Sequence, residues 1–202
     1  MGDQMAVDVA LLPPVEIMEK VIGLIDSGPN PAIPLNAVNC LPHISLAMGV
    51  LLEKDINKVT EILKQITSNQ QPLKLILNRI DTYIRNNGEL IYGLAVKPNS
   101  TLTKLHTEIM AALRPLLNND NVQASMFLFP EKVDKHSAKH VEDFYDKYSG
   151  RDFYPHVTLG FGKVKKLKES IQFTTNRLAL ARLGPYNSCR QILAETIIGQ
   201  SI

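Results

Sequence analysis

The stretch that decides the fold occurs twice in this 202-residue chain. Pro42–Gly49 reads P-H-I-S-L-A-M-G, and Pro155–Gly162 reads P-H-V-T-L-G-F-G. The copies agree in residue type at every position: proline, histidine, aliphatic, hydroxyl, leucine, small, apolar, glycine. They lie more than half a chain length apart, which is too far for a solenoid repeat. The repetition therefore predicts two related lobes of one folded unit.

Each copy predicts a β-strand with one polar and one apolar face. Side chains alternate between the faces of a strand, so His43 and Ser45 share one face, as do His156 and Thr158. The apolar positions belong in a core, which places both histidine–hydroxyl pairs on the opposite surface. The small residues that follow on that surface are expected to leave room for a ligand. They are Ala47, Gly49, Gly160 and Gly162.

Two histidines that face each other suit displacement at phosphorus. Imidazole has an ordinary pKa near 6.5, so at neutral pH one ring can accept a proton while the other donates one. One histidine then deprotonates the attacking hydroxyl, and its twin protonates the leaving oxygen. Ser45 and Thr158 are expected to donate hydrogen bonds to the non-bridging phosphate oxygens. Such a site needs neither a metal nor another cofactor.

The paired octapeptides resemble the motifs of the 2H phosphoesterase superfamily, which is defined by two His-x-Thr/Ser motifs. That superfamily includes 2′-5′ RNA ligase-like proteins and cyclic nucleotide phosphodiesterases. The resemblance implies one bilobal α+β domain over residues 1–202, with two antiparallel sheets and flanking helices related by a pseudo-twofold axis around a cleft. It also implies catalytic roles for His43, Ser45, His156 and Thr158. The implied reaction is metal-independent hydrolysis, or reversible ligation, of 2′,3′-cyclic phosphates or 2′-5′ phosphodiesters.

Two further residues are predicted to bind substrate. Tyr154 falls on the same strand face as His156, where its ring can stack on a base. The family often has a basic residue soon after the second motif, but here Phe161 and Gly162 come first. Lys163 is the first basic residue after them and begins a short basic run that can steer an anionic substrate.

Composition limits the class of partner. The formal net charge is +2, too small for a protein that neutralises a long run of phosphates. We therefore expect a nucleotide or a short RNA end as substrate, no long duplex, and a monomer. No apolar stretch approaches the length of a membrane span. Two cysteines, Cys40 and Cys189, fit a cytoplasmic chain with reduced thiols.

Several alternatives stay open at this stage. The fold can be a binding module that holds a nucleotide or RNA end without turnover. A metallohydrolase using His43, His156 and Asp152 is a weaker alternative, because no paired-ligand spacing supports it. His136 and His140 are interpreted as a solvated helix face, since the sequence between them lacks the glutamate of a zinc-binding helix. Neither the direction of the reaction nor the order of acid and base follows from two nearly symmetric motifs.

Local patterns predict the remaining elements. A buried strand, Ala6–Leu12, leads into a helix that starts at the prolines and ends at Gly28. Asp55 is predicted to cap a second helix, and Asn99 or Ser100 a third. Asn87-Gly88 predicts a hairpin turn, and residues 118–150 are predicted to form a variable lid that contains a helix over Ser137–Tyr148. Two strands, Leu178–Leu183 and Gln191–Ile198, close the chain.

Overall fold

The computed structural model describes residues 3–29, 31–85 and 88–200. The strands of this part of the chain are β1 (Gln4–Leu12), β2 (Ile25–Asp26), β3 (Ile44–Leu52), β4 (Leu73–Ile84), β5 (Leu90–Val96), β6 (His156–Gly160), β7 (Lys163–Val164), β8 (Ile171–Thr175), β9 (Arg177–Leu183) and β10 (Cys189–Ile197). Its α-helices are α1 (Val15–Ile22), α2 (Ile56–Thr67), α3 (Ser100–Leu113) and α4 (Lys135–Lys147).

The two motif strands are the middle strands of one large sheet. Eight strands pair in the order β10-β9-β1-β3-β6-β5-β4-β8, and every neighbouring pair is antiparallel. β3 and β6 are joined through one residue pair, Ile44 with Val157. The α+β class is confirmed. The expected pair of separate sheets is replaced by a single sheet whose two halves meet at this pair, while β2 and β7 form a separate two-stranded ribbon.

The first motif strand shifts its register at its leucine. Ser45 is opposite Ala10 of β1, and the next paired residue of β3, Ala47, is opposite Val9. Leu46 therefore has no opposite residue in β1. An extra residue of this kind is a β-bulge, and it exchanges the two faces of the strand beyond it.

The second motif strand shifts its register at the corresponding leucine. Thr158 is opposite Gly93 of β5, and Gly160 is opposite Tyr92, so Leu159 has no opposite residue in β5. The two octapeptides thus share a bulge as well as a sequence pattern. In both motifs the bulge directly follows the histidine–hydroxyl pair.

The bulge overturns the predicted faces beyond the hydroxyl residue. Ala47 packs in the main core instead of facing the ligand side, while Met48 lines the cleft beside His43 and Ser45. The glycines do not leave room for a ligand either. A Cβ at Gly49 would lie 2.8 Å from the side chain of Leu117, so the protein itself fills that space.

The helices agree with the sequence in number and differ at their ends. Asn99 caps α3, because its side chain accepts a hydrogen bond from the Leu102 amide at 2.9 Å. Asp55 precedes α2 but makes no capping hydrogen bond; it belongs to a short 3₁₀ turn that leads into the helix. The first helix ends at Ile22 and not at Gly28, because β2 starts only three residues later.

The predicted hairpin and the closing strands are confirmed. β4 and β5 pair antiparallel along most of their length. The turn between them is described only from Gly88, which has a φ of +82°, because Asn87 lies outside the described residues. β9 and β10 also pair antiparallel. No helix in the described ranges is long and apolar enough to cross a membrane.

Candidate active site

The two motif histidines are oriented in the same way. Nδ1 of His43 lies 2.7 Å from the carbonyl oxygen of Leu41, and Nδ1 of His156 lies 3.0 Å from that of Tyr154. A carbonyl can only accept, so each Nδ1 carries a proton and donates it. Each ring therefore directs Nε2 away from its own backbone, as a free base when neutral and as a proton donor when charged.

The one residue pair that joins the two motif strands, Ile44 with Val157, directly follows each motif histidine. Continued by one residue in each direction, the antiparallel register of this pair sets His43 opposite Thr158 and Ser45 opposite His156. In that register the histidines are diagonal neighbours, a relation that separates Cα atoms by about 7–8 Å in antiparallel pairs.

All four motif residues line one cleft of about 480 Å³, a volume typical of a small-molecule site. Aromatic side chains form much of its wall; they are Tyr83, Tyr92, Phe144, Tyr148, Phe153, Tyr154 and Tyr186. α4 supplies several wall residues, so the segment predicted to be a variable lid is one side of the cleft.

Both histidines favour the neutral form. Burial lowers the pKa of His43 and of His156 below the ordinary imidazole value. The charge of His43 lowers the pKa of His156 further, and the carboxylate of Asp81 acts in the opposite direction. A proton on one ring therefore opposes a proton on the other, which favours one acid and one base.

A buried carboxyl lies behind the first motif. Asp8 is fully buried on β1, and the Ser45 hydroxyl donates a hydrogen bond to its Oδ2 at 2.7 Å. The same oxygen lies 3.4 Å from Nε2 of His43. Burial raises the pKa of Asp8 to about 7, partly offset by the Ser45 hydrogen bond.

Sequence reasoning missed Asp8 and therefore assigned the Ser45 proton to a phosphate oxygen. The structure instead directs the Ser45 donor to Asp8. The available signal was a lone acidic residue in the middle of the apolar strand Ala6–Leu12, since an unpaired carboxyl seldom lies in a buried strand.

Tyr154 lies on the cleft wall as predicted. It is 41% exposed, and its ring centroid is 6.1 Å from that of His156. The hydroxyl is held at the rim, where it donates to Asp81 and accepts from Arg79 at 2.8 Å. These contacts fix the ring beside His156.

Lys163 is not brought to the site. It is exposed on β7, opposite Asp26 of the ribbon, and is not among the residues that line the cleft. The basic residue of the cleft is Arg85, directly after β4. It pairs with Asp134 and lies over the ring of Tyr186 at 5.0 Å. The sequence did not predict Arg85 as a cleft residue, because its place there depends on where the far end of the β4–β5 hairpin lies in the fold.

The other histidines separate into two environments. His136 is exposed, but both His136 and His140 line the cleft, so the solvated-face interpretation was incomplete. Burial and the nearby charge of His156 lower the pKa of His140 to about 4, so it is neutral at pH 7. His106 is a buried residue whose ring nitrogens are both satisfied: Nδ1 bonds to the Leu46 carbonyl and Nε2 accepts from the Gly150 amide.

Asp152 also lines the cleft. The described residues nevertheless contain no group of three or more His, Cys, Asp or Glu side chains arranged to hold a metal ion. Cys40 and Cys189 are buried and unpaired with each other, and burial raises the pKa of both thiols.

The sheet, the shared cleft and the paired His-x-Ser/Thr strands define the class of protein as a 2H phosphoesterase-like α+β protein. The family model of the 2′-5′ RNA ligase superfamily matches residues 35–184, which span both motifs and about three quarters of the chain. The chain belongs to this superfamily, whose members are phosphoesterases and ligase-like enzymes. A comparison with curated proteins gave no match.

Solved structures share the fold at low identity. TT0787 of Thermus thermophilus is 15% identical with a TM-score of 0.60, over 97% of this chain and 99% of that one. E. coli LigT complexed with NADP+ is 16% identical with a TM-score of 0.60, over 98% and 99%. LigT complexed with 3′-AMP is 17% identical with a TM-score of 0.60, over the same shares.

Proposed function

We propose that this protein is a metal-independent phosphoesterase that opens 2′,3′-cyclic phosphates or cleaves 2′-5′ phosphodiesters in nucleotides or RNA ends. One observation carries the proposal. The two histidines come from the two motifs at the centre of the sheet, share one tautomer with Nδ1 bonded to their own backbone, and line a common cleft.

The proposed reaction is an in-line displacement at phosphorus. One histidine takes the proton from the attacking hydroxyl or water as the new P–O bond forms. The other gives its Nε2 proton to the departing oxygen as the old P–O bond breaks. The Thr158 hydroxyl, half-buried on the cleft wall, is assigned to a non-bridging phosphate oxygen, where a donor aimed at developing charge is most effective. The same displacement by an RNA 5′-hydroxyl is ligation.

The cleft supports a nucleotide as substrate. Its aromatic walls offer surfaces on which a base can stack, and Arg85 adds a guanidinium at one end. The structurally similar LigT is known in complexes with 3′-AMP, ATP and NADP+. We further propose a monomeric cytoplasmic enzyme that acts on short substrates, with its two halves related by a pseudo-twofold axis.

A panel of 2′,3′-cyclic nucleotides and 2′-5′-linked dinucleotides, assayed with excess chelator, tests this function. Product should form, and removal of either His43 or His156 should slow its formation by about 10²-fold or more. Tight nucleotide binding with no product after long incubation would contradict the enzyme and support the binding module. A requirement for added zinc or manganese would contradict the metal-independent step.

A further inference from the structure

The strongest unassigned feature of the molecule is the buried carboxyl behind the first motif. Asp8 has zero exposure, yet Oδ2 contacts two motif residues: it accepts from the Ser45 hydroxyl at 2.7 Å and lies 3.4 Å from His43 Nε2. Burying a carboxyl is unfavourable unless its partners compensate. Its position beside the cleft is therefore better explained by the chemistry of that motif than by stability.

We propose that Asp8 is a positioning residue that holds a shared proton with His43, so that His43 is the proton donor of the cleft and His156 is the base. This inference rests on the proposed function and adds the order of roles that the sequence leaves open. Asp8 Oδ2 lies 3.4 Å from His43 Nε2, near enough for a carboxylate to favour a proton on the imidazole, and the Ser45 hydroxyl fixes the carboxyl in place.

The surroundings of Asp8 contain no competing cation among the described residues that face it. Asp8 is opposite Ala181 of β9, and its charge adds to burial in raising the pKa of the Cys189 thiol of β10. From β3 it meets Ser45 and His43. The imidazole is thus the group able to share its proton, and charge on that imidazole lowers the pKa of His156, which keeps the second ring a free base.

The step balances for a cyclic phosphate. Water gives a proton to His156 Nε2 while its oxygen bonds to phosphorus. The P–O bond to the leaving ribose oxygen breaks, and that oxygen keeps the electron pair and takes the proton from His43 Nε2. His43 ends neutral and His156 charged, and exchange with solvent restores the starting state.

Proton sharing predicts where the first ring titrates. Asp8 loses its proton near pH 7, because burial raises its pKa to about 7. The wild-type His43 signal should therefore respond near pH 7, when the pair loses its last proton. In Asp8→Asn the imidazole stands alone, and burial holds its pKa below the ordinary value near 6.5. The His43 midpoint should fall to lower pH in the variant.

An NMR titration of both imidazoles in wild type and Asp8→Asn tests this. His156, in the same spectrum, is the matched control and should move far less than His43. Asparagine has nearly the same shape as aspartate and no charge to bury, so the Asp8→Asn variant should fold. Ser45→Ala is the second variant. It removes the hydroxyl that hydrogen-bonds to the Asp8 carboxyl, and it should also move the His43 midpoint. An unchanged His43 midpoint in both variants would overturn the proposal.

Kinetics separates this inference from the function on which it rests. In Asp8→Asn, kcat/KM for a cyclic nucleotide should fall about tenfold at pH 7.5, and the loss should shrink at pH 5.5, where a larger fraction of His43 is protonated without Asp8. An equal loss at both pH values indicates a purely structural role and contradicts the proposal. Coupled titration without turnover in the wild type would instead contradict the phosphoesterase function alone.

Discussion

The two motif strands have the same backbone plan and different surroundings. In each motif the histidine is bonded to the carbonyl two residues earlier, and the strand bulges at its leucine. Behind the first motif lies Asp8, fully buried. The carboxylate that acts on the second histidine, Asp81, is at the cleft rim and paired with Arg79. The two motifs thus share one backbone conformation and hold their imidazoles in the same way, but the neighbouring carboxyls give the two rings different electrostatic surroundings.

The largest expected effect comes from removing either imidazole. His43→Ala and His156→Ala should each lower kcat/KM by about 10²–10⁴-fold, the usual contribution of general acid–base catalysis. The double variant should be little worse than either single one, because the two groups act in the same step. Steady-state kinetics on a 2′,3′-cyclic nucleotide measures this. Lys163→Ala, on the ribbon outside the cleft, is the control and should keep full activity.

The next effect separates the two hydroxyls. Thr158→Val should lower kcat by about 10²-fold, since it removes a donor to the phosphate, and should change stability little. Ser45→Ala removes a partner of the buried Asp8 and should lower the free energy of unfolding by about 1–3 kcal/mol. Kinetics and urea unfolding of both variants test the difference. Equal stability losses would contradict the distinct roles.

A smaller effect comes from the residues opposite the hydroxyls. Ala10 faces Ser45, and Gly93 faces Thr158. A Cβ at Gly93 would lie 3.0 Å from both His156 Cδ2 and Tyr83 Cε2, so Gly93→Ala should displace the second ring and lower kcat/KM by about tenfold. Ala10→Gly is the reverse change at the corresponding position of the first half, and it adds no atom near His43. An active Gly93→Ala protein with an unmoved His156 signal would contradict this packing.

The smallest effect concerns the rim carboxylate. Asp81 is ionised at neutral pH, because its contact with Arg79 lowers its pKa, and its charge raises the pKa of His156. Asp81→Asn should therefore lower the pKa of His156 and move the acidic limb of the kcat/KM profile to lower pH, with little change at pH 8. A shift of the acidic limb to higher pH would contradict the stabilising effect of the Asp81 charge on protonated His156.

The sequence predicted the two histidines that line the cleft but not the neighbouring carboxyls that make them unequal. The octapeptides predicted the two motif strands and the faces of the histidine, the aliphatic residue and the hydroxyl residue, because local alternation decides those faces. The predicted faces of Ala47 and Met48 were wrong, because a bulge depends on the pairing with the partner strand and not on the strand's own sequence. Asp8 and Arg85 were missed for a similar reason: Asp8 meets the first motif, and Arg85 the cleft, only through contacts between segments far apart in sequence.

The pH profile of kcat/KM for a 2′,3′-cyclic nucleotide, measured with excess chelator in wild type, His43→Ala and His156→Ala, tests the central claim most directly. The account predicts a bell in the wild type, residual activity without the alkaline limb in His43→Ala, and residual activity without the acidic limb in His156→Ala. A bell of unchanged shape in both variants would contradict the claim that these two rings carry the protons.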